Sequence, residues 1–230
     1  MARYRTILLD ADETLFDFQR SERHALGDTL RAAGIEPTVE MQKGYSEINA
    51  RAWKRLERGE ITKEALRTER FAELCRHFSL NADEQKLSRD YIASLATQSF
   101  LLDGALELCK DLFAHCRLYI ITNGIAAVQH GRFDRSPIKP YFKEIFISDE
   151  IGVEKPHKAF FEGVANRIPD FDPASTLVVG DSLTSDMAGG IGAGLDTCWY
   201  NPSGKEKPAD MPITYTIKSL GELLSLVLGA

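Results

Sequence analysis

Long apolar runs are absent from this chain of 230 residues. No stretch approaches the run of about 18 apolar residues that a membrane-spanning helix needs. The apolar stretch behind the basic N-terminus is too short for a signal peptide, and two acids follow it at once. We therefore expect a cytoplasmic protein with no membrane partner.

The chain has only four cysteines and fewer positive than negative charges. The four cysteines are scattered and form no Cys-x-x-Cys pair, so we predict buried thiols rather than disulfides or a zinc site. The 28 Lys and Arg residues against 34 Asp and Glu residues give a formal net charge of −6 without a basic stripe, which argues against a nucleic-acid polymer as partner. Small anionic substrates stay possible, because local positive groups and a metal ion can outweigh the overall sign.

One apolar run near the N-terminus ends in two closely spaced acids. Residues 7–9 are Ile-Leu-Leu, a short branched run that suits a strand buried on both faces. Asp10 and Asp12 follow at its carboxyl end, the edge where open α/β sheets bind ligands. Two carboxylates repel each other there unless a cation or a shared proton intervenes. Taken alone, a solvated acidic turn explains this stretch equally well.

The rest of the chain divides into two patterns. Residues 17–102 show helical periodicity in four amphipathic segments, which predicts a small helical bundle. From residue 103 onward helical and short apolar segments alternate, which predicts parallel strands joined by right-handed crossovers. A crossover needs only about a dozen residues, so we interpret the bundle as an insertion. The predicted α/β core, a Rossmann-like parallel sheet, comprises residues 1–16 and 103–230.

Three later predicted strands also end in polar residues. Thr122 ends the strand at 117–122 and Asn123 follows it, and Lys155 follows the strand at 144–148. Asp181 and Asp186 follow the strand that ends at Gly180. If the strands are parallel, all these ends face the edge that holds Asp10. That edge then carries acids from two strands, a Thr/Asn donor pair and a lysine.

These residue types match phosphoryl transfer. Clustered carboxylates hold Mg²⁺, and the metal and a lysine neutralise phosphoryl oxygens. Hydroxyl and amide donors bind the same oxygens in the transition state. A carboxylate can attack phosphorus and form an aspartyl-phosphate, which splits one of the slowest uncatalysed reactions into two steps.

Four motifs occur in this order along the chain: Asp10-x-Asp12-x-Thr14, Thr122-Asn123, Lys155-Pro156 and Gly180-Asp181-x₄-Asp186. Together they resemble the motifs of the haloacid dehalogenase (HAD) superfamily of phosphatases. The resemblance implies that Asp10 is the nucleophile and Asp12 the general acid/base. It also implies that the phosphoryl group is bound by Thr122, Asn123 and Lys155. The Mg²⁺ ligands it implies are the Asp10 carboxylate, the Asp12 backbone carbonyl and Asp181, with Asp186 one layer further from the metal.

The resemblance extends beyond the motifs. The helical segment at 17–102 resembles the family's C1-type cap, which closes over the site and excludes bulk water. Dehalogenases of the superfamily lack the second Asp and need no metal, so Asp12 points to a phosphatase. Glu13 departs from the Gly common at that position. The sequence of residues 10–16, 120–124, 152–156 and 189–195 is similar to that of YjjG-type pyrimidine 5'-nucleotidases.

We therefore expect a Mg²⁺-dependent hydrolase of nucleoside 5'-monophosphates, with pyrimidine nucleotides favoured, that forms an aspartyl-phosphate. The alternatives are a phosphatase for another small metabolite, such as phosphoglycolate or a sugar phosphate, and a phosphomutase with the same motifs. A phosphoacceptor signalling module is a rival from another class, but it would have no use for a cap. The partner we expect is a small phosphate monoester, and the chain is expected to be a monomer or a weak homo-oligomer.

Two choices stay open at this stage. Lys158 competes with Lys155 for the catalytic position, although Lys155-Pro156 fits the family spacing. Aromatic residues that could stack on a base are Phe16, Phe18, Tyr45 and Trp53. Trp53 also shares helical spacing with apolar neighbours, which favours a place in the core of the bundle.

Overall fold

The computed structural model describes residues 3–229 and divides into two compact units. One contains the chain up to Asp17 and from Ser99 onward, and the other spans Phe18–Gln98. Within the described part of the chain, no helix is both long enough and apolar enough to cross a membrane.

The first unit contains a six-stranded sheet in which every neighbouring pair is parallel. Its strands are β1 (Thr6–Leu9), β2 (Arg117–Thr122), β3 (Phe142–Ile147), β4 (Thr176–Gly180), β5 (Asp196–Tyr200) and β6 (Tyr215–Ile217). They lie in the order β3-β2-β1-β4-β5-β6. The direction of progression reverses between β1 and β4, the position at which such sheets open a ligand crevice. The predicted Rossmann-like sheet is thus confirmed.

Helices flank this sheet. They are α5 (Ala105–Phe113), α6 (Ala126–Arg135), α7 (Ser148–Ile151), α8 (Lys158–Arg167), α9 (Ala188–Gly192) and α10 (Gly221–Leu228). The strand predicted at 144–148 begins earlier, at Phe142, and ends at Ile147 because Ser148 opens α7. A π-helix at Leu183–Met187 precedes α9.

Strand β1 lies in the middle of the sheet because both of its faces are apolar. Ile7 and Leu9 join one buried cluster, which includes Leu112 of α5 and Leu223 of α10. Leu8 joins a second cluster, which includes Phe160 of α8. Alternate residues of a strand point to opposite faces, so this short run is covered by helices on both sides. Asp10, the residue after β1, therefore lies at the sheet edge between the two layers of helices.

The second unit is entirely helical among its described elements. Its helices are α1 (Phe18–Ala32), α2 (Val39–Glu57), α3 (Lys63–Phe78) and α4 (Glu84–Leu95). The side chains of Thr38, Thr62 and Asp83 each accept a hydrogen bond from a backbone N–H three residues on and so cap α2, α3 and α4.

An aromatic cluster forms the centre of the helical unit. The rings of Tyr45, Phe71 and Tyr91 lie 5.2–5.4 Å apart between centroids. Buried Arg70 lies 4.9 Å above the Tyr91 ring. Tyr45 has no exposed surface, so it is a core residue and cannot stack on a base in this structure. Trp53 is partly buried against an apolar cluster of α2 and α3.

Candidate active site

Lys155 connects the carboxyl ends of three strands. Its Nζ lies 2.6 Å from Oδ1 of Asp10, 2.6 Å from Oδ1 of Asp186 and 2.9 Å from the carbonyl oxygen of Ile121. An ammonium group has three protons, and each of them has an acceptor here. Lys155 is 2% exposed, so these bonds form away from bulk water. The side chain therefore holds the acids after β1 and β4 against the end of β2.

Three carboxylates converge around this lysine. Asp10, Asp181 and Asp186 each offer one oxygen, and these three oxygens lie within 4.8 Å of one another. Asp186 is fully buried and uses both of its oxygens, because Oδ2 also accepts a hydrogen bond from the Ser182 N–H at 3.1 Å. Asp186 is therefore held as a support for Lys155. Asp10 and Asp181 are left to face a ligand.

Gly180 makes room for this support. A Cβ atom at residue 180 would lie 2.2 Å from Oδ2 of Asp186, closer than non-bonded atoms can approach. The glycine at the end of β4 is needed for that reason, rather than for an unusual backbone angle. Any side chain at residue 180 would therefore displace the Asp186 carboxylate that supports Lys155.

The charges of the cluster are unbalanced. Burial, together with the neighbouring acids, raises the pKa of Asp10 well above its usual range, although the Lys155 ammonium opposes this. Burial also raises the pKa of Asp181 to about 7, with help from Asp186 and Glu13. Burial alone would lower the pKa of Lys155, but the attraction of Asp10 and Asp186 outweighs it and raises that pKa.

Three acids facing one ammonium form a site that attracts a further cation. Buried carboxylates with raised pKa values hold protons until a metal ion replaces them. Oxygen ligands of this kind suit a hard divalent ion such as Mg²⁺. The donor set of Asp10 and Asp181 therefore fits the metal that the motifs predict.

Asn123 is committed to the backbone of Lys155. Its Oδ1 accepts from the Lys155 N–H at 2.9 Å, and its Nδ2 donates to the Lys155 carbonyl oxygen at 2.8 Å. The side chain therefore positions the lysine, a role that its place in the Thr122-Asn123 pair did not reveal. Thr122 is buried beside it, and its Oγ1 accepts from the Gly124 N–H at 3.0 Å.

The competing lysine lies elsewhere. Lys158 is exposed at the start of α8, and its Nζ is 3.4 Å from Oε1 of Glu162 one helical turn further on. The structure thus places Lys155, and not Lys158, beside Asp10.

Asp12 stands apart from the three-acid cluster. Its Oδ2 accepts a hydrogen bond from Nε2 of Gln129 at 2.6 Å, and its Oδ1 accepts a hydrogen bond from Nη1 of Arg132. Gln129 and Arg132 belong to α6 and are buried. Neither Gln129 nor Arg132 was among the predicted site residues. Their only signal was a spacing of three residues, which puts them on one face of a predicted helix.

Comparison with known proteins assigns the chain to a family. A family model for haloacid dehalogenase-like hydrolases matches residues 4–194. HAD-hydrolase YfnB of Bacillus subtilis is 40% identical over 99% of this chain and 97% of its own length. The crystal structure of YfnB, described as bound to magnesium and as revealing interdomain movement, has a TM-score of 0.92 and covers 98% of this chain and 99% of its own. The chain belongs to the haloacid dehalogenase-like hydrolases.

Two further relatives carry specific names. Pyrimidine 5'-nucleotidase PynA of Streptococcus pneumoniae is 38% identical over 96% of this chain and 94% of its own length. Pyrimidine 5'-nucleotidase YjjG of Escherichia coli is 35% identical over 96% of each chain. The resemblance to HAD hydrolases that the motifs indicated is thus confirmed, and the chain is an enzyme of the hydrolase class.

Proposed function

We propose that this enzyme is a Mg²⁺-dependent phosphomonoesterase that hydrolyses nucleoside 5'-monophosphates, with pyrimidine nucleotides preferred. The observation that carries the chemistry is the Lys155 ammonium, which holds Asp10 at 2.6 Å next to two further carboxylates. Support for the substrate class comes from PynA and YjjG, which match nearly the whole chain.

The proposed reaction has two steps. A carboxylate oxygen of Asp10 attacks phosphorus, the bond from phosphorus to the nucleoside oxygen breaks, and Asp12 gives a proton to that leaving oxygen. Asp12 then takes a proton from a water molecule, whose oxygen attacks phosphorus and releases inorganic phosphate from Asp10. Lys155 orients Asp10 throughout, and Thr122 and Asn123 lie at the phosphoryl-binding end of β2.

Mg²⁺ would be held by the carboxylates of Asp10 and Asp181 and by the backbone carbonyl of Asp12, with Asp186 acting through Lys155. When bound, it supplies positive charge that offsets the phosphoryl oxygens and the acids together. We also propose that the helical unit, which the sequence places at 17–102, is a cap domain that selects the substrate.

A substrate panel tests the proposal. Phosphate release would be measured with Mg²⁺ on pyrimidine and purine 5'-monophosphates, modified pyrimidine nucleotides, phosphoglycolate and sugar phosphates. We expect the highest kcat/KM on a pyrimidine nucleotide and no release after chelation of the metal. Faster turnover of a sugar phosphate than of every nucleotide would replace the nucleotidase assignment with the alternative of a metabolite phosphatase.

A further inference from the structure

The carboxylate of Asp12 is held from one helix by two side chains of different character. Gln129 reaches Oδ2 with a neutral amide at 2.6 Å, whereas Arg132 reaches Oδ1 with a charged guanidinium. Charge-assisted hydrogen bonds are roughly twice as strong as neutral ones. The two oxygens of Asp12 are therefore unequal, because one is anchored strongly and the other is held by a contact that is easier to exchange.

Arg132 is an unusual residue to bury for stability alone. It has no exposed surface, and its guanidinium carbon lies 4.6 Å from the centre of the Phe16 ring. Burying an ion pair costs desolvation energy that its attraction often fails to recover. An apolar residue at this position would pack against Phe16 at lower cost. The contact with Asp12 thus points to a functional reason for the arginine.

The loop that carries Asp12 is closed over Arg132. The backbone N–H groups of Leu15 and Phe16 both donate to the Ala11 carbonyl oxygen, at 2.9 and 2.8 Å. This turn brings the Phe16 ring back over the same guanidinium that binds Asp12. Arg132 therefore holds both ends of the turn, one by charge and one by a cation–π contact.

Helix α6 is itself fixed in place. The Ala126 N–H at its start donates to Oδ2 of Asp149 at 3.0 Å, and Nε2 of His130 lies 2.6 Å from Oε1 of Glu150. Gln129 packs directly over Gly124, where a Cβ atom would lie 2.1 Å from Nε2. These contacts fix α6 against α7 and against the loop after β2, so Gln129 and Arg132 meet Asp12 in a defined geometry.

We infer that Arg132 and Gln129 are positioning residues for the general acid/base Asp12, an inference that rests on the proposed function. Arg132 anchors Oδ1, and Oδ2 remains the oxygen that exchanges a proton with the leaving oxygen and then with water. Gln129 holds Oδ2 until the reacting groups replace it.

The test compares substrates that differ in their need for a proton. A nucleoside oxygen requires protonation to leave, whereas p-nitrophenolate leaves from p-nitrophenyl phosphate without it. General acid catalysis contributes about 10²–10⁴-fold. We expect Arg132→Met to lower kcat on uridine 5'-monophosphate by about 10²-fold, with KM changed much less. On p-nitrophenyl phosphate the same variant should release one equivalent of nitrophenolate in a fast burst before slow turnover, because the second step still needs Asp12.

Three variants complete the design. Arg132→Lys should recover part of the lost rate, and Gln129→Leu should show the same substrate dependence more weakly. Arg70→Met is the matched control, since Arg70 is buried and packs on aromatic rings but binds Asn49 instead of an acid. It should lower thermal stability without producing a burst of nitrophenolate from p-nitrophenyl phosphate. If Arg132→Met does not fold, Gln129→Leu and Arg132→Lys decide the question.

Two outcomes separate this inference from the proposed function. Equal losses on both substrates in the first step, without a burst, would show that Arg132 is only structural. A wild-type enzyme that turns over p-nitrophenyl phosphate but no nucleotide would overturn the nucleotidase proposal, while the burst would still report on Asp12.

Discussion

At the scale of single residues, the arrangement around Lys155 depends on its ion pairs with Asp10 and Asp186 and on the hydrogen bonds between Asn123 and the lysine backbone. Strand ends and acidic motifs predicted that Asp10, Lys155, Asp181 and Asp186 would share one edge, and the structure brings their side chains together. The bond from Asn123 to the Lys155 backbone was not predictable, because it depends on the path of the loop after α7. Glu13 has φ = 60°, a backbone conformation that favours glycine over residues with a side chain.

Removing the ammonium of Lys155 should be costly. Lys155→Met would leave Asp10 and Asp186 buried without their cation, so we expect a loss of about 3–5 kcal/mol in the free energy of unfolding at about pH 8. The loss should shrink at lower pH, where the raised pKa of Asp10 lets protonation relieve the repulsion. Urea unfolding without metal measures both values. Lys158→Met, which removes only an exposed ion pair, should change stability by less than about 1 kcal/mol.

At the scale of secondary-structure elements, the sequence predicted the parallel sheet well because helices lie between most of the apolar strands after residue 103. The alternation implies a helix between β2 and β3, where α6 lies, but periodicity shows which face is buried and not which group that face contacts. The aromatic candidates show the same limit. Phe16 is fully buried beneath Arg132, and Tyr45 lies in the core of the helical unit, although composition alone suited both to base stacking.

The glycine at the end of β4 provides a test at this scale. In Gly180→Ala the new methyl group would collide with Asp186, so we expect a loss of about 1–3 kcal/mol in stability and a fall in phosphate release. Gly192→Ala in α9 is the matched control, because a Cβ atom there would meet no atom within 4 Å and alanine favours helix. Equal effects in the two variants would refute the proposed crowding of Asp186.

At the scale of the whole molecule, the net charge is −6, and the acid cluster of the active site adds a local charge whose protonation should depend on bound metal. Asp181 has a pKa of about 7 in the folded protein and about 3.9 when unfolded. At a pH between these two pKa values, Asp181 is protonated in the folded state and ionised in the unfolded chain. The metal-free protein therefore loses stability from this group as pH rises through the window.

Metal binding should reverse that loss. Because Mg²⁺ competes with the proton on Asp181, we expect a larger Mg²⁺-induced rise in Tm at about pH 8 than at about pH 5.5. Glu13→Gln removes one of the charges that raise the pKa of Asp181, so the midpoint of this dependence should shift to lower pH. Thermal unfolding across pH, with and without Mg²⁺, measures both effects. A Tm shift independent of pH would contradict the assignment of Asp181 as a metal ligand.

The role of Asp10 as nucleophile is tested most directly by its amide variant. Phosphate release from uridine 5'-monophosphate would be measured with Mg²⁺ for the wild-type enzyme and for Asp10→Asn, whose amide is a poor nucleophile. We predict release by the wild-type enzyme and a fall of at least about 10³-fold in the variant, with its fold retained. Activity of Asp10→Asn near the wild-type rate would contradict the account.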